Sequence, residues 1–209
     1  MTIMKRYEYG NPDSTIVLVQ MIGDHELSGM EKEIACIRES AGDDFFLRAF
    51  QVDDWNRELS PWQAAAVFGD EGFGGCAGET LDVVLPELAD REKKYYIGGY
   101  SLAGLFALWA AYQTDLFTGV VAASPSIWFP GFVDYMKTNT IQADKVYFSL
   151  GNREAKTRNP VMATVADCIE MSFDHLRKQG VNCTLEWNEG NHFKDADIRT
   201  AKGFAWILE

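Results

Sequence analysis

The 209 residues suffice for one ordinary domain with a sizeable core, and the composition is that of a soluble globular protein somewhat rich in aromatics. A net charge of −12 argues against nucleic acid or an anionic membrane surface as partner. Residues 1–11 carry no apolar run of signal-peptide type, and no stretch approaches the roughly 20 apolar residues of a membrane span, so the expectation is a cytoplasmic protein.

Neither a repeat nor a low-complexity linker divides the chain, and residues 1–209 read as a single domain of alternating strands and helices. Residues 15–22 form an apolar strand ending at Gly23. Residues 29–40 read as a helix with Met30, Ile34 and Ile37 on one face, followed by a strand over 45–52. Residues 78–88 read as a helix interrupted at Pro86. Short apolar strands follow at 119–123 and 145–150. Asn159-Pro160 carries the signature of a helix start, its apolar stripe runs from Met162 to Leu176, and Gly180 ends it. An alternating strand over 183–187 and an amphipathic helix over 195–208 close the chain. Repeated βα units of this kind imply a mostly parallel sheet with helices on both faces. Cys36, Cys76, Cys168 and Cys183 form no C-x-x-C pair and are expected to be free, mostly buried thiols. No metal site and no cofactor is expected.

The stretch at 95–110 carries the chemistry. An apolar β-leaning run turns on Gly99-Tyr100-Ser101-Leu102-Ala103-Gly104 into a run rich in Ala and Leu. That is the layout of a nucleophile elbow, in which a serine on a tight strand-to-helix turn presents its hydroxyl at the N-terminus of the next helix. Ala103 stands where G-x-S-x-G has its second glycine, so on the motif alone an ordinary βα turn with an incidental serine is the lesser alternative.

Function in an open α/β sheet gathers at the carboxyl ends of the strands. After the strand ending at Leu150 comes a loop whose single carboxylate is Glu154, and after the strand ending at Trp187 comes Asn188-Glu189-Gly190-Asn191-His192-Phe193. Ser, acid, His is the chain order of the α/β-hydrolase triad. Ser101 is thus the candidate nucleophile, His192 the general base and Glu154 the residue orienting it. Glu154 could instead be a surface residue paired with Arg153 or Lys156, and Asp195 and Asp197 are rivals better suited to starting the last helix. The oxyanion hole is expected from the backbone N–H groups of Leu102 and Asp24. His25, after the first strand, either lines the pocket or is an ordinary loop histidine. The long segment 53–78 begins at the active edge. Its Trp55 and Trp62 are expected to wall the pocket with Tyr100 and Trp128, or else to anchor the loop.

Together, Gly99–Leu108, Ala122-Ala123-Ser124-Pro125-Ser126-Ile127-Trp128-Phe129, Gly151-Asn152-Arg153-Glu154 and Glu189-Gly190-Asn191-His192-Phe193 resemble the esterase D and siderophore-esterase branch of the α/β-hydrolases. The resemblance runs from about Thr15 to the C-terminus and departs at Ala103 and at Ile22-Gly23, where relatives often show His-Gly or Asp-Gly. It implies a three-layer α/β-hydrolase fold with a reduced N-terminal edge and no lid domain, and a serine esterase acting on a small-molecule ester. Some relatives manage with a Ser-His pair. Acyl transfer, thioester hydrolysis and a non-catalytic binding role on the same scaffold remain the alternatives.

Overall fold

The computed structural model describes residues 4–209. In chain order the elements are β1 (Lys5–Gly10), β2 (Ile16–Ile22), α1 (Met30–Ala41), β3 (Phe46–Gln51), α2 (Trp55–Glu58), β4 (Gln63–Ala64), β5 (Phe73–Gly74) and α3 (Ala77–Val84). They continue as β6 (Lys94–Tyr100), α4 (Leu102–Gln113), β7 (Phe117–Ala123), α5 (Phe132–Thr138), β8 (Lys145–Gly151), α6 (Val165–Lys178), β9 (Asn182–Asn188) and α7 (Ala196–Leu208). Seven strands make one sheet in the order β1-β3-β2-β6-β7-β8-β9, and β4 and β5 form a separate two-stranded ribbon. In the large sheet only β1 runs antiparallel to its neighbour.

The strand sequences dictate this layering. β2, β6, β7 and β8 are buried along nearly their whole length, which requires cover on both faces. One face, with Leu18, Ile22, Val121 and Tyr147, packs against Ile34 and Ile37 of α1 and Phe204 and Ile207 of α7. The other, with Val19, Ile97, Val120 and Phe148, packs against α3, α4 and α6. Helix α4 is buried from Leu102 to Tyr112, as expected of a helix apolar all round. Gly203 lets α7 press onto the sheet, because a Cβ there would stand 2.3 Å from Val121 Cγ1. Phe204 beside it is fully buried, worth about 1.5–3 kcal/mol relative to exposure.

The expected central strands and α1 lie where the pattern puts them, and the helix expected over 78–88 breaks at Pro86 into α3 and a 3-10 turn, Leu85–Leu88. Helix α6 starts later than Asn159-Pro160 indicates. Asn159 Oδ1 instead accepts from the N–H groups of Val161 and Met162, and its amide donates to Val67 O, tying this segment to the loop across from it. All four cysteines are free and half-buried rather than fully buried. Among the described residues no helix is long and apolar enough to cross a membrane.

Candidate active site

At the carboxyl end of β6 the chain reverses direction through Ser101, whose backbone lies at φ 57, ψ −120. A non-glycine residue there is strained, and surrounding packing holds it. Ser101 N donates to Ala123 O at 3.1 Å, and Ser101 O accepts from Ser126 N at 2.9 Å and from Leu105 N at 3.1 Å. Gly99 is the position the turn cannot fill, since a Cβ would stand 2.7 Å from Ala103 Cβ and 2.8 Å from its carbonyl carbon. One methyl fits between these two positions, and Ala103 supplies it. The departure from G-x-S-x-G therefore leaves the turn intact.

Three elements converge on the serine. His192, in the loop after β9, places Nε2 2.9 Å from Ser101 Oγ and Nδ1 2.7 Å from Glu154 Oε2. Glu154, in the turn after β8, is buried, and its other oxygen accepts from Gly151 N at 2.7 Å, Ser124 Oγ at 2.8 Å and Arg199 Nη1 at 2.9 Å. With Glu154 ionised, Nδ1 carries the proton and Nε2 is free to accept the serine hydroxyl's. Ser126 Oγ lies 3.2 Å from Ser101 Oγ, beside the reacting atom. Leu102 opens α4, so its N–H is one of the helix's unpaired first donors.

Arg199 escapes the sequence reading. It is 1% exposed and joins the carboxylate to the histidine loop. Nη1 also donates to Tyr100 Oη and Ser124 Oγ, and Nη2 to the carbonyls of Glu189 and Asn191, each at 3.1–3.2 Å. Tyr100 Oη donates in turn to His192 O at 2.7 Å, and burial, followed by the Glu154 charge, pushes this phenol up to about 12. The available signal was an arginine on the stripe that α7 buries with Gly203, Phe204 and Ile207, a place where a charge persists only when paired.

Ser101 and His192 open onto a cavity of about 590 Å³. Trp55, Phe68, Trp128 and Phe193 supply its aromatic wall. Trp128 is held by Phe68 and Phe73, and Trp55 meets the His25 ring edge-on at 4.8 Å. His25 lines the cavity too, as does Tyr100, whose hydroxyl is already committed to the histidine loop. Trp62 does not line it, which corrects the expectation that it walls the pocket. Its ring packs on Phe129, Phe132 and Tyr135, and its N–H finds Pro130 O at 3.0 Å. A large ring with one donor is satisfied there as a loop anchor. The Asp24 carboxylate turns towards Gln51 Nε2 at 3.4 Å, in a second hollow shared with Asp53, and Asp24 is not among the residues lining the Ser101 cavity. The same cavity is also lined by Glu26, Lys32, Glu33, Asp195 and Asp197, a cluster that no sequence motif marked.

The sequence matches no family model and no curated protein. Solved structures do match over nearly the whole chain. An IroE-like serine hydrolase from Shewanella oneidensis superimposes with a TM-score of 0.76 at 14% identity, covering 98% of this chain and 75% of that one. The chain has the α/β-hydrolase fold. The siderophore hydrolase EstA from Aspergillus nidulans gives 0.67 at 16% identity, over 98% and 94% of the two chains. Esterase PE8 gives 0.65 at 15%, over 99% and 98%. In the α/β-hydrolase fold of this chain the N-terminal edge is a single antiparallel strand, β1. Segment 53–78 folds as α2 and the β4–β5 ribbon against the cavity instead of building a separate lid domain.

Proposed function

We propose that this protein is a serine hydrolase of carboxylic esters, with Ser101, His192 and Glu154 as its triad. The observation that carries the reading is the unbroken chain from Ser101 Oγ to His192 Nε2 at 2.9 Å and from His192 Nδ1 to Glu154 Oε2 at 2.7 Å, opening on the cavity. Hydrolase names among structures of the same fold support it. Ser101 Oγ attacks the ester carbonyl while His192 Nε2 takes its proton, and Glu154 holds the resulting imidazolium. The N–H groups of Leu102 and Asp24 receive the oxyanion. His192 then protonates the departing alcohol, and water, activated by the same imidazole, hydrolyses the acyl-enzyme. No cofactor enters this scheme. The wall of Trp55, Phe68, Trp128 and Phe193 suits an apolar or aryl portion of a small ester.

The test is covalent labelling by a fluorophosphonate together with hydrolysis of short activated esters. The expected result is labelling and turnover in wild type, with loss of labelling and a fall of about 10³-fold or more in kcat for Ser101→Ala. A wild-type protein that neither labels nor hydrolyses any ester of graded acyl length overturns the proposal.

A further inference from the structure

One part of the cavity wall is acidic. It is built where the segment 24–33, leading into α1, meets the start of α7, and none of its carboxylates takes part in the serine chemistry. Lys32 Nζ is held by Asp197 Oδ2 at 2.9 Å, which leaves Glu26, Glu33 and Asp195 in excess of the local positive charge. Glu26 is partly satisfied, its Oε2 accepting from Gly23 N at 2.9 Å. Glu33 is not. It is 4% exposed, it lines the cavity, and Oε2 has only a 3.5 Å contact from Gln20 Nε2. Glu33 Oε1 has no hydrogen-bond partner among the described residues, and neither does Gln20 Oε1. A buried acceptor left without a donor is costly, and more so when it carries charge. The missing partner is therefore a donor, and the surplus of carboxylates selects a cationic donor over a neutral one.

We propose that this wall is a subsite for a primary ammonium group, and that the substrate is an ester bearing one. An ammonium offers three donors, enough for the Glu33 and Glu26 carboxylates together, in charge-assisted bonds. The aromatic wall takes the apolar body of the same molecule, and the net charge of −12 raises the local concentration of cations. The same burial disfavours the ionised carboxyls while no cation is bound. Burial pushes the Glu26 carboxyl up to about 7, and burial together with the Glu26 and Asp197 charges raises that of Glu33 well above 4.5. The titratable groups around this pair are Lys32 on α1, Asp195 and Asp197 at α7, His25 in the turn and Tyr9 on β1. A bound cation relieves both carboxyls at once.

The choice of an ester rests on the esterase reading, so the experiment has two arms. In the first, hexylammonium and 1-hexanol are titrated calorimetrically into the protein at low salt. The expected result is a preference of about tenfold or more for the cation, lost in Glu33→Gln. Should that variant fail to fold, Glu26→Gln is expected to show the same loss. Equal binding of the two probes, or a preference untouched in both variants, overturns the subsite. In the second arm 6-aminohexyl acetate is compared with heptyl acetate. The cationic ester is expected to be favoured about tenfold in kcat/KM through a lower KM, with the gap narrowed in Glu33→Gln. Turnover of both esters without that gap overturns the subsite and leaves the hydrolase standing. If neither ester is cleaved the hydrolase reading fails, and the calorimetric arm alone decides the subsite.

Discussion

Arg199 carries more of the site than any residue outside the proposed triad. Its guanidinium joins four structural pieces: the Glu154 carboxylate, the Ser124 turn, the Tyr100 hydroxyl and the Glu189–Asn191 loop that carries His192. It acts through Glu154 and His192 and is a positioning residue. Arg199→Met would leave Glu154 buried beside an apolar chain, and a stability loss of about 3–5 kcal/mol is expected, read as a lowered midpoint in denaturant. Arg199→Lys keeps the charge but cannot span both the carboxylate and the two loop carbonyls. The expected outcome is a folded protein whose kcat for a short activated ester falls while KM holds, because the histidine loop loses its tether and the cavity does not. An equal fall in stability with kcat unchanged would assign Arg199 a purely structural role. Ser101, Glu154 and His192 could be read from chain order because each follows a predicted strand. Arg199 could not, because its partners lie in other segments and only the fold brings them together.

At the scale of the element, the strand–turn–helix at β6–α4 is the piece on which the site depends, and its tolerance is asymmetric. A methyl on Gly99 meets the Ala103 carbonyl carbon as well as its Cβ, and backbone cannot step aside. Gly99→Ala is therefore expected to open the turn, lowering the melting temperature and abolishing ester hydrolysis, and Gly99→Ala with Ala103→Gly is expected not to restore either. Ala103→Gly alone removes only a methyl near a helix start and should cost about 1 kcal/mol or less with activity retained. Thermal melts and ester assays on the three variants check this. A fully active Gly99→Ala would show that the turn is looser than its contacts indicate. The central strands were legible because burial on both faces makes them continuous apolar runs. β1 was not, because an edge strand reading Lys-Arg-Tyr-Glu-Tyr-Gly hides its alternation among charges that pair with Arg48 and Glu87. The start of α6 was misplaced because Asn159 and Pro160 mimic a helix cap, while the Asn side chain is recruited to a turn and to Val67.

For the whole molecule, the acidic balance decides how stability responds to pH. A carboxyl whose proton affinity is raised by folding binds more protons folded than unfolded, so stability falls with pH across the interval between the two values. For Glu26 that interval runs from its ordinary 4.5 to about 7. Its contribution is fully present below 4.5 and is lost as pH rises through 7. Glu33, raised well above 4.5 by burial and by Glu26, extends the same trend upward. Mutual repulsion in a chain of net charge −12 adds to it, since ionising further acids increases that charge. Salt separates the two sources, because it screens the exposed charges and leaves the buried pair almost untouched. The melting temperature is expected to fall as pH is raised from 4.5 through 7, and the fall should persist at high ionic strength. In Glu26→Gln with Glu33→Gln the high-salt curve should flatten over the same interval. A wild-type curve already flat at high salt would show that the corner holding Glu26 and Glu33 is wetter than its packing implies. It would also remove the electrostatic need that an ammonium group is proposed to meet there.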